Sequence, residues 1–288
     1  MMKEEASQTV GDKIEETVRA AEETVRKPFV RKIARLGFYT KGFLFIVVGI
    51  LGVMVATGQP GGELADPTGA LARIATLDFG RVLLIIFIAG AVSHGFWNIL
   101  RGAADVDDAG DKWPGIIKRC IAIGVGIFYV WLAFSAFNIL VTERVESGNG
   151  EMQKNIAQLF LALPLGAVLL FLIGLITIGT GIHECYSGIT GKYQENFRLF
   201  SLGKGQLRLI NILGILSFTA RALIFCLVGY FFISAAINYN ADEVIGIDGA
   251  LAILARTYYG KTILFITAAG LVCHGVLSLY EARFRRIC

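Results

Sequence analysis

Six apolar runs dominate this chain. Each is long enough to cross the ~30 Å hydrocarbon core of a bilayer, which takes a helix of ~20 residues. They cover Gly37–Thr57, Val82–Arg101, Ile116–Thr142, Leu165–Ser187, Leu209–Asn238 and Thr262–Arg283. Backbone polar groups in lipid must be satisfied within the segment, so runs of this kind predict helices. Barrel strands would alternate over ~10 residues and do not fit. Only 17% of residues are charged, against about 25% in an ordinary soluble domain. The charges gather in the N-terminal arm and in short islands between the runs. The expected class is an all-α integral membrane protein with six transmembrane helices.

Basic residues set the expected orientation. Counted from Arg26 onward, the side of the N-terminus carries 17 Lys and Arg, and the opposite side carries 6: Arg73, Arg81, Arg144, Lys154, Arg256 and Lys261. The positive-inside rule then places both termini in the cytoplasm, as in a multi-pass protein of the bacterial plasma membrane. The charged first 30 residues lack the apolar core of a secretory signal peptide. Within them Val10, Ile14, Val18, Ala21 and Val25 recur at helical spacing, and Thr9 with Asp12 fits a capping box. Residues 1–30 therefore read as a cytoplasmic amphipathic helix, either solvated or docking a protein partner. Trp97, Trp113 and Trp131 are expected interfacial anchors. The five cysteines (Cys120, Cys185, Cys226, Cys273 and Cys288) read as small core residues rather than disulfides or zinc ligands.

The chain also repeats itself. Shifted by 180 residues and without a gap, Leu36–Arg101 falls on Leu216–Glu281 with 20 identities in 66 positions. His94 falls on His274, Lys41 on Arg221, Gly80 on Gly260 and Gly69–Ala72 on Gly249–Ala252. The middle of the chain fits more loosely. A shift of 84 puts Arg119 on Arg35 and Gly126 on Gly42. After a two-residue insertion, a shift of 86 puts Gly166 on Gly80, Gly181 on Gly95 and Thr180 on His94. The units span 31–112, 113–206 and 207–288. Each holds two spans, so all three share one orientation. Parallel repeats of this kind are related by an axis along the membrane normal, and an approximate threefold bundle is expected. Short helices are expected in the loops away from the termini. Pro67 and Thr68 would start the first, and Asp248 would cap the third.

These phrases resemble the membrane proteins of domain-of-unknown-function family 1206. The resemblance rests on the opening "ARLGFYTKG" (Ala34–Gly42), on the Gly-Ala-Leu phrase at Gly69–Leu71 and Gly249–Leu251, and on Gly80–Arg81 opening a second helix. It runs over about residues 31 to 285. It implies three tandem two-helix units in a membrane and supplies no activity or catalytic residue.

The polar residues inside the spans carry the functional expectation. His94 lies seven residues before Arg101, and Lys41 lies six after Arg35. At 1.5 Å per residue both sit ~10 Å inside the cytoplasmic boundary, and the repeat puts Arg221 and His274 in the same layer. Ionisable groups at such depth face a bundle interior or a wet cavity. Lys41, His94, Arg221 and His274 therefore form a candidate site for a small anion or an anionic lipid headgroup, with His183, Glu184 and Thr180 as secondary polar groups. Alternatively Lys41 snorkels to the interface, each histidine satisfies an interhelical hydrogen bond, and Arg221 lies deeper or beneath a juxtamembrane segment. Two further readings are a non-enzymatic scaffold or accessory subunit, and a bis-histidine haem or metal site between the second and sixth spans. No HExxH, GxSxG or P-loop motif points to an enzyme. No cofactor, resident metal or nucleic-acid partner is expected. The acidic loop Asp105–Asp111 reads as a solvated turn.

Overall fold

The computed structural model describes residues 28–60, 62, 64–110, 112–142, 151–197 and 203–284. Residues 1–27, which hold most of the expected N-terminal helix, lie outside these. The described chain is helical: α1 Pro28–Thr57, α2 Pro67–Ala75, α3 Gly80–Ala103, α4 Trp113–Thr142, α5 Glu151–Leu161, α6 Gly166–Thr190, α7 Lys204–Asn238, α8 Ile247–Ala255 and α9 Gly260–Phe284. The long helices α1, α3, α4, α6, α7 and α9 are apolar enough to cross a membrane. They contain the six expected runs with shifts of a few residues at their ends. Both described ends of the chain, Pro28 and Phe284, lie on one face, here called the terminal face.

The tightest packing joins units rather than the two helices within a unit. It pairs α3 with α4, α6 with α7 and α9 with α1. Unit one therefore meets unit two, two meets three, and three meets one, the cyclic order that a threefold plan requires. Glycines set these seams. A Cβ on Gly42 would stand 2.8 Å from the carbonyl oxygen of Gly275, and one on Gly275 would stand 2.6 Å from that of Gly42. Gly95 and Gly126 oppose each other in the same way at 2.8 and 2.7 Å. At the third seam a Cβ on Gly181 would stand 3.0 Å from the carbonyl oxygen of Ala222, and Gly174 and Gly229 meet reciprocally at 2.8 Å one level away. Gly95, Gly181 and Gly275 are repeat equivalents, as are Gly42, Gly126 and Ala222. The seams thus use the same register three times. Between lipid-embedded helices, where burial gains little, small residues permit the backbone approach that drives association.

The short helices close the bundle opposite the terminal face. Gly80, Gly166 and Gly260 each open the second long helix of a unit, where a Cβ would collide with the carbonyl of Ile74, Phe160 or Ala255. The short helices are thereby held down on the bundle. Ala70, Leu71, Ile74, Ala157, Ala250, Leu251 and Leu254 join one core with Leu132, Leu170, Phe232 and Leu264. The cap of α2 is Asp66, whose Oδ1 accepts hydrogen bonds from Thr68 Oγ1 at 2.7 Å and Gly69 N at 2.8 Å. At α8 the cap is the repeat equivalent of Asp66, Gly246, rather than the expected Asp248. Asp248 lies inside the first turn, because the helix starts in the same register as α2.

Two further expectations are corrected. Trp97 is buried with Ala34, Phe38 and Ala282, so it packs the bundle instead of anchoring at the interface. Trp113 is 78% exposed at the start of α4 and suits an anchor. Cys288 lies outside the described residues; among the described cysteines, Cys120 and Cys185 face outward, and Cys226 and Cys273 are half-buried. The lipid side of a membrane helix accepts apolar thiols as readily as the interior does. In the acidic loop, Asp105 accepts from the amides of Ala109 and Gly110, and Asp107 pairs with Arg101. Arg119 donates to the carbonyls of Gly102 at 2.9 Å and Ala103 at 3.0 Å, capping the end of α3.

Two outcomes follow from this architecture. Gly42→Leu forces a side chain into the Gly275 backbone and is expected to cost about 1–3 kcal/mol. Gly124→Leu, where no atom lies within 4 Å, is expected to cost little. Thermal unfolding in detergent compares the two, and equal losses would count against glycine seams. The second outcome concerns Asp248. Its carboxyl is raised above the ordinary range by burial and by the charge of Asp66, against opposing hydrogen bonds from Gly249 and its own amide and the charge of Lys154. The folded protein therefore holds this proton more tightly than the unfolded chain does. Stability from this group is present below the ordinary carboxylate range and is lost as pH rises through the raised value. Asp248→Asn should raise the midpoint at pH 7, with the gain fading as the pH falls toward about 4.

Candidate functional site

The polar layer forms where the second helix of each unit carries position 94, 180 or 274. His94 and His274 are both buried, at 3% exposure. Their helices place them opposite aromatic rings on the neighbouring unit. His94 on α3 meets Tyr129 on α4 edge-on with centroids 4.4 Å apart, and His274 on α9 meets Phe45 on α1 at 4.7 Å. Tyr129 and Phe45 are repeat equivalents, so the seam geometry repeats at the histidines. Phe38 closes on His94 from α1 at 5.3 Å.

The two histidines differ in their polar contacts. His274 Nδ1 and Ser217 Oγ on α7 are hydrogen-bonded at 2.8 Å, with the donor set by the imidazole tautomer. The position of Ser217 in unit one is Gly37, where a Cβ would stand 2.6 Å from His94 Cα. That glycine lets α1 and α3 close over the first imidazole. His274 Nε2 is buried without a hydrogen-bond partner among the described residues. The charges of Arg221 and Lys41 both reach His274. Arg221 also acts on Tyr129, which lies against His94.

Arg221 crosses the seam between α7 and α6. Its Nη2 donates to Glu184 Oε1 at 2.9 Å, with side-chain exposures of 19% and 12%. The rings of Phe218 and Phe225 flank the guanidinium at 5.7 and 5.5 Å, favourable positions for a cation. Glu184 Oε2 is buried and unpartnered among the described residues. At the equivalent positions Asn98 and Ser278 turn back onto their own helices and donate to His94 O at 2.8 Å and His274 O at 2.9 Å.

A juxtamembrane segment packs on the first turns of α7. Tyr193, in the 3-10 turn Lys192–Asn196, packs with Phe197 against Ile210 and Leu277. Its hydroxyl lies 3.1 Å from Asn211 O and 3.0 Å from Asn211 Oδ1. Lys41 is half-buried on α1. Thr180 is half-buried and donates to Ile176 O at 2.8 Å, while His183 is exposed on the outer side of α6. The charges of Lys41 and Arg221 thus both act on His274, Arg221 pairs with Glu184, and His94 lies against Tyr129.

Residues 36–105, 122–191 and 216–285 each match the family model described as Domain of Unknown Function (DUF1206). The chain belongs to this DUF1206 family. It is similar to an uncharacterized protein, YxxB, of Bacillus subtilis (strain 168), at 28% identity over 261 residues, which is 91% of this chain and 93% of that protein. No solved structure matches it.

The three DUF1206 matches coincide with the three units that pack cyclically, so the polar layer is one repeat position read three times with different side chains. Tyr129 and Ser217 were not singled out in the sequence. Each had a signal there: Tyr129 adds a hydroxyl where the other units have Phe45 and Phe225, and Ser217 lies one helical turn before Arg221. Removing either member of the Arg221–Glu184 pair strands a charge in a place with little water. Arg221→Leu and Glu184→Leu should each cost on the order of 3 kcal/mol, and the double variant should cost less than their sum. Unfolding titrations of the four proteins test this, and additive losses would mean that the pair is not coupled.

Proposed function

We propose that this protein is a non-enzymatic multi-pass membrane protein that binds an anionic group between Lys41, Arg221 and His274, in the half of the bundle nearer the terminal face. One observation carries the reading. His274 Nε2 is buried, lacks a partner among the described residues and lies in the field of two cationic side chains, Arg221 and Lys41. A buried polar atom left without a hydrogen bond costs free energy, and a phosphate or carboxylate oxygen held by the two cations would accept from it. Basic sites between helices near the cytoplasmic boundary suit anionic lipid headgroups, free phosphate and small carboxylates alike. The excess of basic residues on the terminal face supports a cytoplasmic location for that face and for both termini.

The apolar core beneath the short helices favours binding over conduction, because it fills the route from the layer to the opposite face. Glu184 acts as the resident counter-ion of Arg221, so a ligand oxygen competes with Glu184 for the guanidinium. The bis-histidine reading fits less well: rings of Phe38 and Tyr129 crowd His94, and Phe45 and Ser217 crowd His274. Among the described residues no group of three His, Cys, Asp or Glu side chains is placed to hold a metal.

The test uses Lys41→Gln together with Arg221→Gln and Glu184→Gln, which removes the cations without stranding the carboxylate. Binding of inorganic phosphate to the purified protein, and anionic lipid carried through purification, should each fall by about tenfold or more, the effect of losing charge-assisted hydrogen bonds. Unchanged values for both would sink the reading.

A further inference from the structure

The middle unit departs from its two neighbours. In unit one α1 packs on α3, and in unit three α7 packs on α9, but α4 and α6 share no comparable interface. The cause lies at one pair of positions. A Cβ on Gly90 would stand 1.7 Å from Thr40 Oγ1, and one on Gly270 would stand 2.4 Å from Ala220 Cβ. Those pairs hold the two helices of their units together. In the middle unit the same positions are Gly124 and Ile176. Gly124 has no atom near the place of a Cβ, and Ile176 is 57% exposed. The glycine has moved to the other helix, and a branched side chain stands where close approach was needed.

The opening continues along one stripe of α6. Ile173, Thr177, Thr180 and Glu184 are spaced 4-3-4, so they share a face. Their equivalents on α3 (Phe87, Ala91, His94 and Asn98) and on α9 (Thr267, Leu271, His274 and Ser278) are all buried. All four on α6 are half-buried. The middle unit is therefore the place where the polar layer opens sideways toward lipid. The stripe runs from an apolar residue through two hydroxyls to the partly exposed Glu184–Arg221 pair.

We propose that this cleft between α4 and α6 takes up an anionic phospholipid from the membrane, with an acyl chain along Gly124 and Ile176 and the phosphate at Arg221. The proposal rests on the anion-binding reading above and names its substrate class. The two ends of the cleft identify the occupant. An apolar wall open to hydrocarbon excludes water and calls for an alkyl chain, and a guanidinium at the end nearer the terminal face calls for a negative headgroup. A water-soluble anion matches the guanidinium end alone, and an apolar helix matches the wall alone.

The experiment places the full chain in phosphatidylcholine vesicles containing phosphatidylglycerol with a photoreactive acyl chain. Crosslinks should concentrate on residues 121–128 and 173–180, and unlabelled phosphatidylglycerol should compete for them while phosphatidylcholine does not. Gly124→Trp with Ile176→Trp fills the cleft from two open positions. It should lower these crosslinks by about tenfold while leaving the unfolding midpoint and phosphate binding in detergent unchanged. Arg221→Gln with Glu184→Gln should keep the crosslinks but abolish the preference for phosphatidylglycerol. Crosslinks spread evenly around the bundle, or unchanged by the two tryptophans, would overturn the lateral site. So would a change of oligomeric mass on filling the cleft, since a second copy would then be its occupant. Phosphate binding that survives in any of those cases leaves the anion site standing and removes only the lipid route. Loss of both removes the parent reading as well.

Discussion

Helices surrounded by hydrocarbon gain little by burying apolar side chains against one another, so this bundle depends on how closely its backbones can approach. The reciprocal contacts of Gly42 with Gly275 and of Gly95 with Gly126 meet that need, because each glycine opposes the other's carbonyl. Such a contact fixes depth as well as distance. Sliding one helix by a residue would drive a side chain into the opposing backbone. Since the second helices all carry glycine at the equivalent position, the seams hold residues 94, 180 and 274 at one level. The polar layer is a consequence of the packing that precedes it.

The same packing explains why the layer is enclosed in two units and open in one. Gly90 and Gly270 bring their helices onto α1 and α7, and His94 and His274 are sealed among rings and a serine hydroxyl. Ile176 keeps α6 from α4, and its unit carries Thr180 at the histidine position. The carboxylate of that unit then turns across the seam to the arginine of the next. Asn98 and Ser278, with shorter reach and enclosed surroundings, satisfy themselves on their own helices. One change at a contact position thus alters exposure, hydrogen bonding and charge pairing together.

The long helices were legible because length and apolarity alone decide them in a membrane, and the repeat was legible because 66 positions align without a gap. The seam partners were not. Glycine is abundant here, with 34 residues, and spacing cannot say which glycine meets which across helices far apart in sequence. Depth arithmetic brought Lys41, Arg221 and His274 to one layer, and in the structure the charges of both cations act on His274. The same arithmetic missed Ser217 and Tyr129, whose roles depend on facing a particular neighbour. Trp97 was misread for a related reason. Its place near a helix end suggested the interface, but the seams turn that face of α3 toward Ala34 and Ala282. Asp248 was misread because an acidic residue beside a glycine looks like a cap, whereas the repeat register gives that position to Gly246.

The two faces of the bundle bear unequally on what the layer can do. Opposite the terminal face, three short helices press apolar side chains into the core beside the buried Asp66 and the half-buried Asp248, so an anion passing there would meet no cation like Arg221 in that core among the described residues. Toward the middle unit the layer is bounded by a stripe that grows more polar toward the terminal face. A group entering along it would exchange hydrocarbon for hydroxyls and then for a guanidinium, gaining contacts at each step. Leaving by the opposite face would reverse that gain. Under the proposed reading, the bundle is built to hold an amphipathic molecule at its side rather than to pass an ion along its axis.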